Sequence, residues 1–186
     1  MGRTKSAAAP KFKIPKRISL VICVLVLLLS VWAYRVQTRG QLLPVGSVAP
    51  DFTGIIGNHK VVHLSELLKT DRVVLVFYPG DGTAVCTSQL CALRDSISEL
   101  GALHCVVLGI NPASEAKHAQ FARDYRFPFH LVSDTGSQIA IAYGCSGLLG
   151  INRRTVYIIN RDRTVMLAER GVPKVADMLR VLEAVQ

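Results

Sequence analysis

Cys86 and Cys91 stand five residues apart, behind a turn spelled Pro79-Gly80-Asp81-Gly82-Thr83 and an apolar run, Val73 to Tyr78. The run reads as a strand buried on both faces of a sheet. Leu90, Leu93, Ile97 and Leu100 recur at three- and four-residue spacing, which predicts a helix over Cys86–Leu100. Cys86 then lies in the first helical turn, where unpaired N–H groups and the positive end of the macrodipole favour thiolate over thiol. A thiolate there is a nucleophile. Thr83 can aim its hydroxyl at the same spot, and Pro79 ends the strand with a rigid wall that has no donor. Such a set suits attack on a bond whose leaving group is an oxygen gathering negative charge, and a cation would complete it.

Five residues on a helix turn through about 500° and rise about 7.5 Å, so the two side chains point roughly 140° apart. They cannot close a bond of about 2.05 Å while the helix persists. A pair that bonds only after local unravelling is a poor staple and a good redox relay.

The elements that must position these residues alternate in type. Leu103 to Ile110 and Thr155 to Ile159 repeat the buried-strand character, and Ser114 to Tyr125 reads as a helix with Ser114 as N-cap. Asn160 to Arg163 turns one strand into another, Thr164 to Ala168, and Pro173 to Val185 closes the chain with a helix bearing Val175, Met178, Leu179 and Leu182 on one stripe. This order predicts an α/β chain of three layers, a mixed sheet covered on both faces. The 186 residues leave room for one such domain plus an appendage.

The net charge of +9 is unevenly placed. Residues 1–50 hold eight basic residues and no acid, whereas residues 51–186 hold 14 basic and 13 acidic ones. No basic stripe with interleaved aromatics appears in the domain, which excludes nucleic acid as a partner. The basic excess instead flanks Ile18 to Tyr34, 17 residues without a charge. At roughly 25 Å as a helix this run can just span a bilayer, helped by flanking Lys and Arg and by Trp32 and Tyr34. Six basic residues precede it and two follow, so the N-terminus is expected in the cytoplasm and the domain across the membrane. The expected organisation is a basic tail 1–17, a signal anchor 18–34, a linker 35–44 and a domain 45–186. The rival is a cleaved signal with a site near Val31-Trp32-Ala33, which would leave a secreted or periplasmic domain; the long apolar run and bulky residues there favour the anchor. Cys23 reads as membrane filling.

The string Phe77 to Asp95 resembles the active-site segment of peroxiredoxins, P-x-x-x-T-x-x-C, at Pro79, Thr83 and Cys86. The second cysteine, with Arg94-Asp95 after it, is similar to the Q type, the bacterioferritin comigratory proteins. Val45 to Phe52 resembles the family's entry motif, Phe127 to Asp134 its central loop and strand, and Ala142 to Gly147 its helix-to-loop passage. The likeness covers about residues 45–186 and implies a thioredoxin-like fold and thiol peroxidase activity on hydrogen peroxide and organic hydroperoxides. By the same resemblance Cys86 would be the peroxidatic cysteine, oxidised to a sulfenic acid. Thr83 would bond the peroxide, Pro79 would shield the site, and an arginine before the late strand would hold the thiolate and polarise the peroxide. Two adjacent candidates stand there, Arg153 and Arg154; strand alternation sends them to opposite faces so that only one can serve, and aligning Tyr157 to Asn160 on the family's strand favours Arg154. Cys91 would resolve the sulfenic acid, and an external dithiol such as thioredoxin would reduce the bridge. No cofactor or metal is implied, and the protein is expected to act as a monomer or weak dimer. Ala84 stands where the family often has Pro, and Gln89 where it often has an acid.

Two rival functions are weaker on the residues. A thiol–disulfide oxidoreductase usually carries Cys-x-x-Cys, whereas this spacing is Cys-x-x-x-x-Cys. A copper-delivery or redox-sensing module would want Cys-x-x-x-Cys and a partnered His. Cys105, inside an apolar strand, reads as core, and Cys145, in a Gly-rich passage, as an exposed idle thiol. The five histidines show no metal-type clustering, and Asp81, Asp124, Asp134 and Asp162 read as solvated or capping groups.

Overall fold

In the run from Val73 to Tyr78, successive side chains point to opposite faces and enter two separate cores. Val73, Leu75 and Phe77 join one cluster; Val74, Val76 and Tyr78 join the other. The strand that carries most of them, β3 (Arg72–Phe77), is buried along its whole length. The computed structural model describes residues 22–23, 25–31 and 40–185. Two compact units, 1–38 and 39–186, divide the chain. In the first, residues 22–23 and 25–31 are helical with exposed side chains. The whole basic tail and, of the expected anchor, residues 18–21, 24 and 32–34 lie outside the described residues, as do residues 35–39. Among the described residues no helix is long and apolar enough to cross a membrane.

The second unit begins with a hairpin, β1 (Thr53–Ile56) and β2 (Lys60–His63), and a single turn of helix, α1 (Leu64–Leu67). After β3 come α2 (Ala84–Asp95), α3 (Ile97–Ala102), β4 (Cys105–Asn111) and α4 (Glu115–Tyr125). The chain ends with β5 (His130–Ser133), α5 (Gln138–Ala142), β6 (Thr155–Ile159), β7 (Val165–Arg170) and α6 (Val175–Glu183). The strands form one mixed sheet in the order β2-β1-β5-β4-β3-β6-β7, with β3, β4 and β5 parallel and the other pairs antiparallel. On one face Leu64 and Leu68 pack with Ile139, Ala140 and Tyr143 of the α5 region. On the other, α2, α3, α4 and α6 supply Leu90, Leu93, Leu100, Phe121, Met178 and Leu182. This is the three-layer mixed sheet that the order of elements predicts.

The structure corrects some boundaries. The helix expected over Cys86–Leu100 is two helices that meet at Ser96, whose φ of −102° and ψ of 14° leave helical values. Periodicity does not reveal the break, because Leu93 and Leu100 are seven residues apart and both return to the core. The β1–β2 hairpin escapes the sequence pattern because its strands have only four residues and present exposed side chains beside buried ones. Its turn uses Asn58 and His59 at positive φ.

Leu93 anchors α2 to the sheet and has no solvent exposure. Leu93→Ala is expected to cost roughly 2–5 kcal/mol of unfolding free energy. Equilibrium denaturant unfolding of the reduced chain measures this, and a loss well below that range would mean that α2 settles onto the sheet to fill the space.

Candidate functional site

The parallel strand β3 delivers the chain to the end of the sheet, and the segment 78–83 turns it into α2. Tyr78 remains on the sheet, its N–H donating to the Ile110 carbonyl at 3.2 Å. Its ring fits because position 109 on β4 is glycine: a Cβ there would lie 2.6 Å from Leu131 Cδ2 and 3.2 Å from Tyr78 Cε1. Gly82, at φ +74°, supplies the left-handed residue that the turn requires. Thr83 is the extended N-cap of α2, but its side chain makes no capping bond; its hydroxyl lies 3.5 Å from the Gly80 carbonyl. The N–H groups of the first turn therefore have no side-chain cap, and Cys86 belongs to that turn.

Cys86 has no solvent exposure. Arg154, one residue before β6, donates from Nη2 to Cys86 Sγ at 3.1 Å, across 68 residues of sequence. Its carbonyl accepts from Gly171 N–H at 2.9 Å, which ties its backbone to the chain just after β7. Arg153 is exposed and turns the other way, its guanidinium against Gly40. Alternation at the start of β6 thus separates the two arginines. Pro79 is half-buried and Thr83 exposed, at the two ends of the loop in front of the cysteine.

Cys91 is half-buried and free, and α2 runs unbroken through both cysteines. The helical geometry that keeps the sulfurs apart is therefore present, and a bridge requires α2 to unwind between them.

Asp81 corrects the expectation of a solvated acid. It sits beneath the loop, where one carboxylate oxygen accepts from the Tyr78 hydroxyl at 2.8 Å and from Asn111 Nδ2 at 2.7 Å. The other lies 2.9 Å from Nδ1 of His118, which is 2% exposed. Burial would raise this carboxyl, but bonding and charge from His118, with bonds from Tyr78 and Asn111, hold it below the usual carboxylate range. Burial, reinforced by the Asp81 charge, pushes the Tyr78 hydroxyl up. No spacing pattern marks this group, since its members lie in β3–α2, β4 and α4 and meet only in three dimensions. Asp134 does cap as expected, accepting from the Ile139 and Ala140 N–H groups at the start of α5.

Cys145 corrects a second expectation. It is fully buried, not exposed, and its thiol donates to the Tyr143 carbonyl at 3.3 Å. The passage around it is closed by the bridge between Ser146 and Asn152 and by Arg170, which bonds the Gly144 carbonyl. Cys105 is core, as its strand context indicates. Among the described residues no cluster of three His, Cys, Asp or Glu could hold a metal ion.

Residues 45–168 match the model of the AhpC/TSA family. A Haemophilus influenzae protein described as putative peroxiredoxin bcp is 40% identical over 131 residues, covering 67% of this chain and 84% of that protein. The chloroplastic peroxiredoxin Q of Triticum aestivum is 40% identical over 122 residues, covering 64% of this chain. The chain matches only 56% of that longer relative. The crystal structure of peroxidoxin BcpB from Mycobacterium tuberculosis superposes with a TM-score of 0.73 at 30% identity, over 77% of this chain and 99% of that one. The seven-stranded mixed sheet with helices on both faces is thus a thioredoxin-like α/β fold.

Burial pushes the Cys105 thiol up to about 12 and the Cys145 thiol up to about 11, from an ordinary 9.0. Both raised values favour the protonated fold, so their contribution is fully present below pH 9 and is lost as pH rises towards 11 and 12. In the folded reduced protein at pH 7, a maleimide is expected to label Cys91 and to spare Cys105 and Cys145 until denaturant is added. Labelling of Cys145 at the Cys91 rate, read by peptide mass spectrometry, would contradict its burial.

Proposed function

The chain belongs to the AhpC/TSA family, in its peroxiredoxin Q or bcp type, and on that premise we propose that it is a thiol peroxidase using Cys86 as the peroxidatic cysteine and Cys91 as the resolving one. The observation that carries this reading is the Arg154 guanidinium at 3.1 Å from Cys86 Sγ, at the uncapped start of α2. A cation and a helix N-terminus converge on one sulfur, and both stabilise it as an anion.

The Cys86 thiolate attacks one oxygen of the peroxide. The S–O bond forms as the O–O bond breaks, sulfur is oxidised to sulfenic acid, and the second oxygen leaves with a proton as water or alcohol. Negative charge grows on that departing oxygen, and Arg154 with the first-turn N–H groups is placed to oppose it. Thr83 positions the peroxide; its hydroxyl has only a 3.5 Å contact with the Gly80 carbonyl to give up. Pro79 walls the approach and supplies no competing donor. Cys91 then attacks the sulfenic sulfur, releasing water and leaving a Cys86–Cys91 disulfide, which a thioredoxin-like dithiol reduces by exchange. The protein works as a monomer or weak dimer on hydrogen peroxide and organic hydroperoxides.

The uncharged run 18–34, with six basic residues before it, supports a signal anchor that holds the 45–186 domain on the extracytoplasmic side. Alkaline carbonate is then expected to leave the chain in the membrane pellet, with the domain open to protease from the outer side only. A mature N-terminus just after Ala33 would replace this with a secreted or periplasmic domain.

The peroxidase reading is tested by mixing the reduced full chain with one equivalent of hydrogen peroxide and following it by intact and peptide mass spectrometry. Cys86→Ser abolishes peroxide consumption. Cys91→Ser gives one turnover and then accumulates sulfenic acid or an alternative disulfide. Arg154→Gln slows the first step by roughly 10²–10³-fold, the scale of losing one oxyanion-stabilising donor. Wild-type protein that stays folded with both thiols intact after minutes would sink the peroxidase and point to disulfide exchange instead.

A further inference from the structure

The core face of α2 carries one amide. The buried residues of the helix are Cys86, Gln89, Leu90 and Leu93, spaced so that they share a single stripe. Gln89 is 3% exposed, and neither its side-chain nitrogen nor its side-chain oxygen has a hydrogen-bond partner. The Thr87 hydroxyl beside it is likewise buried and unpartnered. Among the described residues seven side-chain atoms are in this condition, and three of them lie between Cys86 and Cys91.

A buried amide without partners weakens the state that buries it, because it has surrendered water and received nothing in exchange. Here that state is the helical form of α2, the form in which the two sulfurs cannot meet. Unwinding the turn frees the amide to find partners.

We propose that Gln89 is a positioning residue for the resolving step: by destabilising the helical turn between the cysteines, it sets the rate at which Cys91 reaches oxidised Cys86. This rests on the two-cysteine reading above. In the step it controls, the Cys91 thiolate attacks the sulfenic sulfur, the S–S bond forms as the S–O bond breaks, and the hydroxyl leaves as water with the proton given up by Cys91. A second peroxide competes for the same sulfenic acid, transferring an oxygen to give sulfinic acid and leaving as water or alcohol. Slower unwinding therefore means more over-oxidation.

Gln89→Met keeps the length of the side chain and removes the amide; Gln89→Leu does so with a different shape. Each variant of the full chain is reduced, mixed with peroxide, acid-quenched at intervals and resolved by mass spectrometry into thiol, sulfenic, sulfinic and disulfide forms. Cys86 oxidation is expected to proceed at the wild-type rate, while bridge closure slows by about tenfold, the effect of restoring one unmade hydrogen bond's worth of helix stability. Sulfinic acid should appear at lower peroxide, and hydrogen exchange at 87–91 should slow. Bridge closure at or above the wild-type rate in both variants overturns the proposal while leaving the peroxidase intact. Wild-type Cys86 that oxidises without ever bonding Cys91 removes the two-cysteine reading and this proposal together.

Discussion

A sulfur atom with no solvent exposure lies 3.1 Å from a guanidinium, at the start of a helix whose first N–H groups lack a side-chain cap. A negative charge formed on such a sulfur, away from water, would need compensating positive charge, and these are the two sources that the fold brings to it. The rest of the site follows from keeping that contact short. Arg154 is held at the edge of β6 by a backbone bond to Gly171, and β6 pairs with β3, which leads directly to the loop before Cys86. Donor and acceptor are thus carried by neighbouring strands of one sheet, so their separation depends on sheet register rather than on the reach of a flexible loop.

The loop between β3 and α2 needs its own foundation, and Asp81 provides it. Its carboxylate takes bonds from Tyr78 on the strand side, Asn111 at the end of β4 and His118 in α4. Three elements are tied to one side chain in the loop that precedes Cys86. Gly109 gives Tyr78 its room, so a missing Cβ on β4 has consequences for the orientation of a carboxylate in the loop that follows β3.

α2 meets two opposed demands. It must be helical to present Cys86 to Arg154 and to aim its dipole at the sulfur, yet it must open if Cys91 is to form a bond with that sulfur. Leu90 and Leu93 fasten it to the core, while Gln89 and Thr87 leave polar atoms unpaired on the same turn. Leu93, beyond Cys91, holds the C-terminal half on the core, and the unpaired polar atoms lie between the two cysteines, where an opening would have to occur.

Much of this was legible in the chain itself. The continuous apolar run at Val73–Tyr78, the Pro-Gly-Asp-Gly-Thr turn and the periodic leucines behind Cys86 identify a strand, a turn and a helix with that cysteine in its first turn, although the helix begins at Ala84, two residues before the expected start, because residue pattern and turn chemistry are local properties. The five-residue spacing of Cys86 and Cys91 likewise determines that they cannot bond in a helix, whatever surrounds it. What local pattern could not supply was everything decided by distant partners. Ser96 breaks a helix whose hydrophobic period continues through the break. Cys145 looks exposed in a glycine-rich string until Arg170 and the Ser146–Asn152 bridge close over it. Asp81 looks solvated until β4 and α4 arrive with Asn111 and His118. The pairing of Arg154 with Cys86 spans 68 residues, and only the register of β6 against β3 turns an arginine that the family resemblance pointed to into a cation in contact with the sulfur. Sequence determined which groups could do the chemistry; burial and long-range pairing, which depend on the packing of the whole sheet, decided which of them meet.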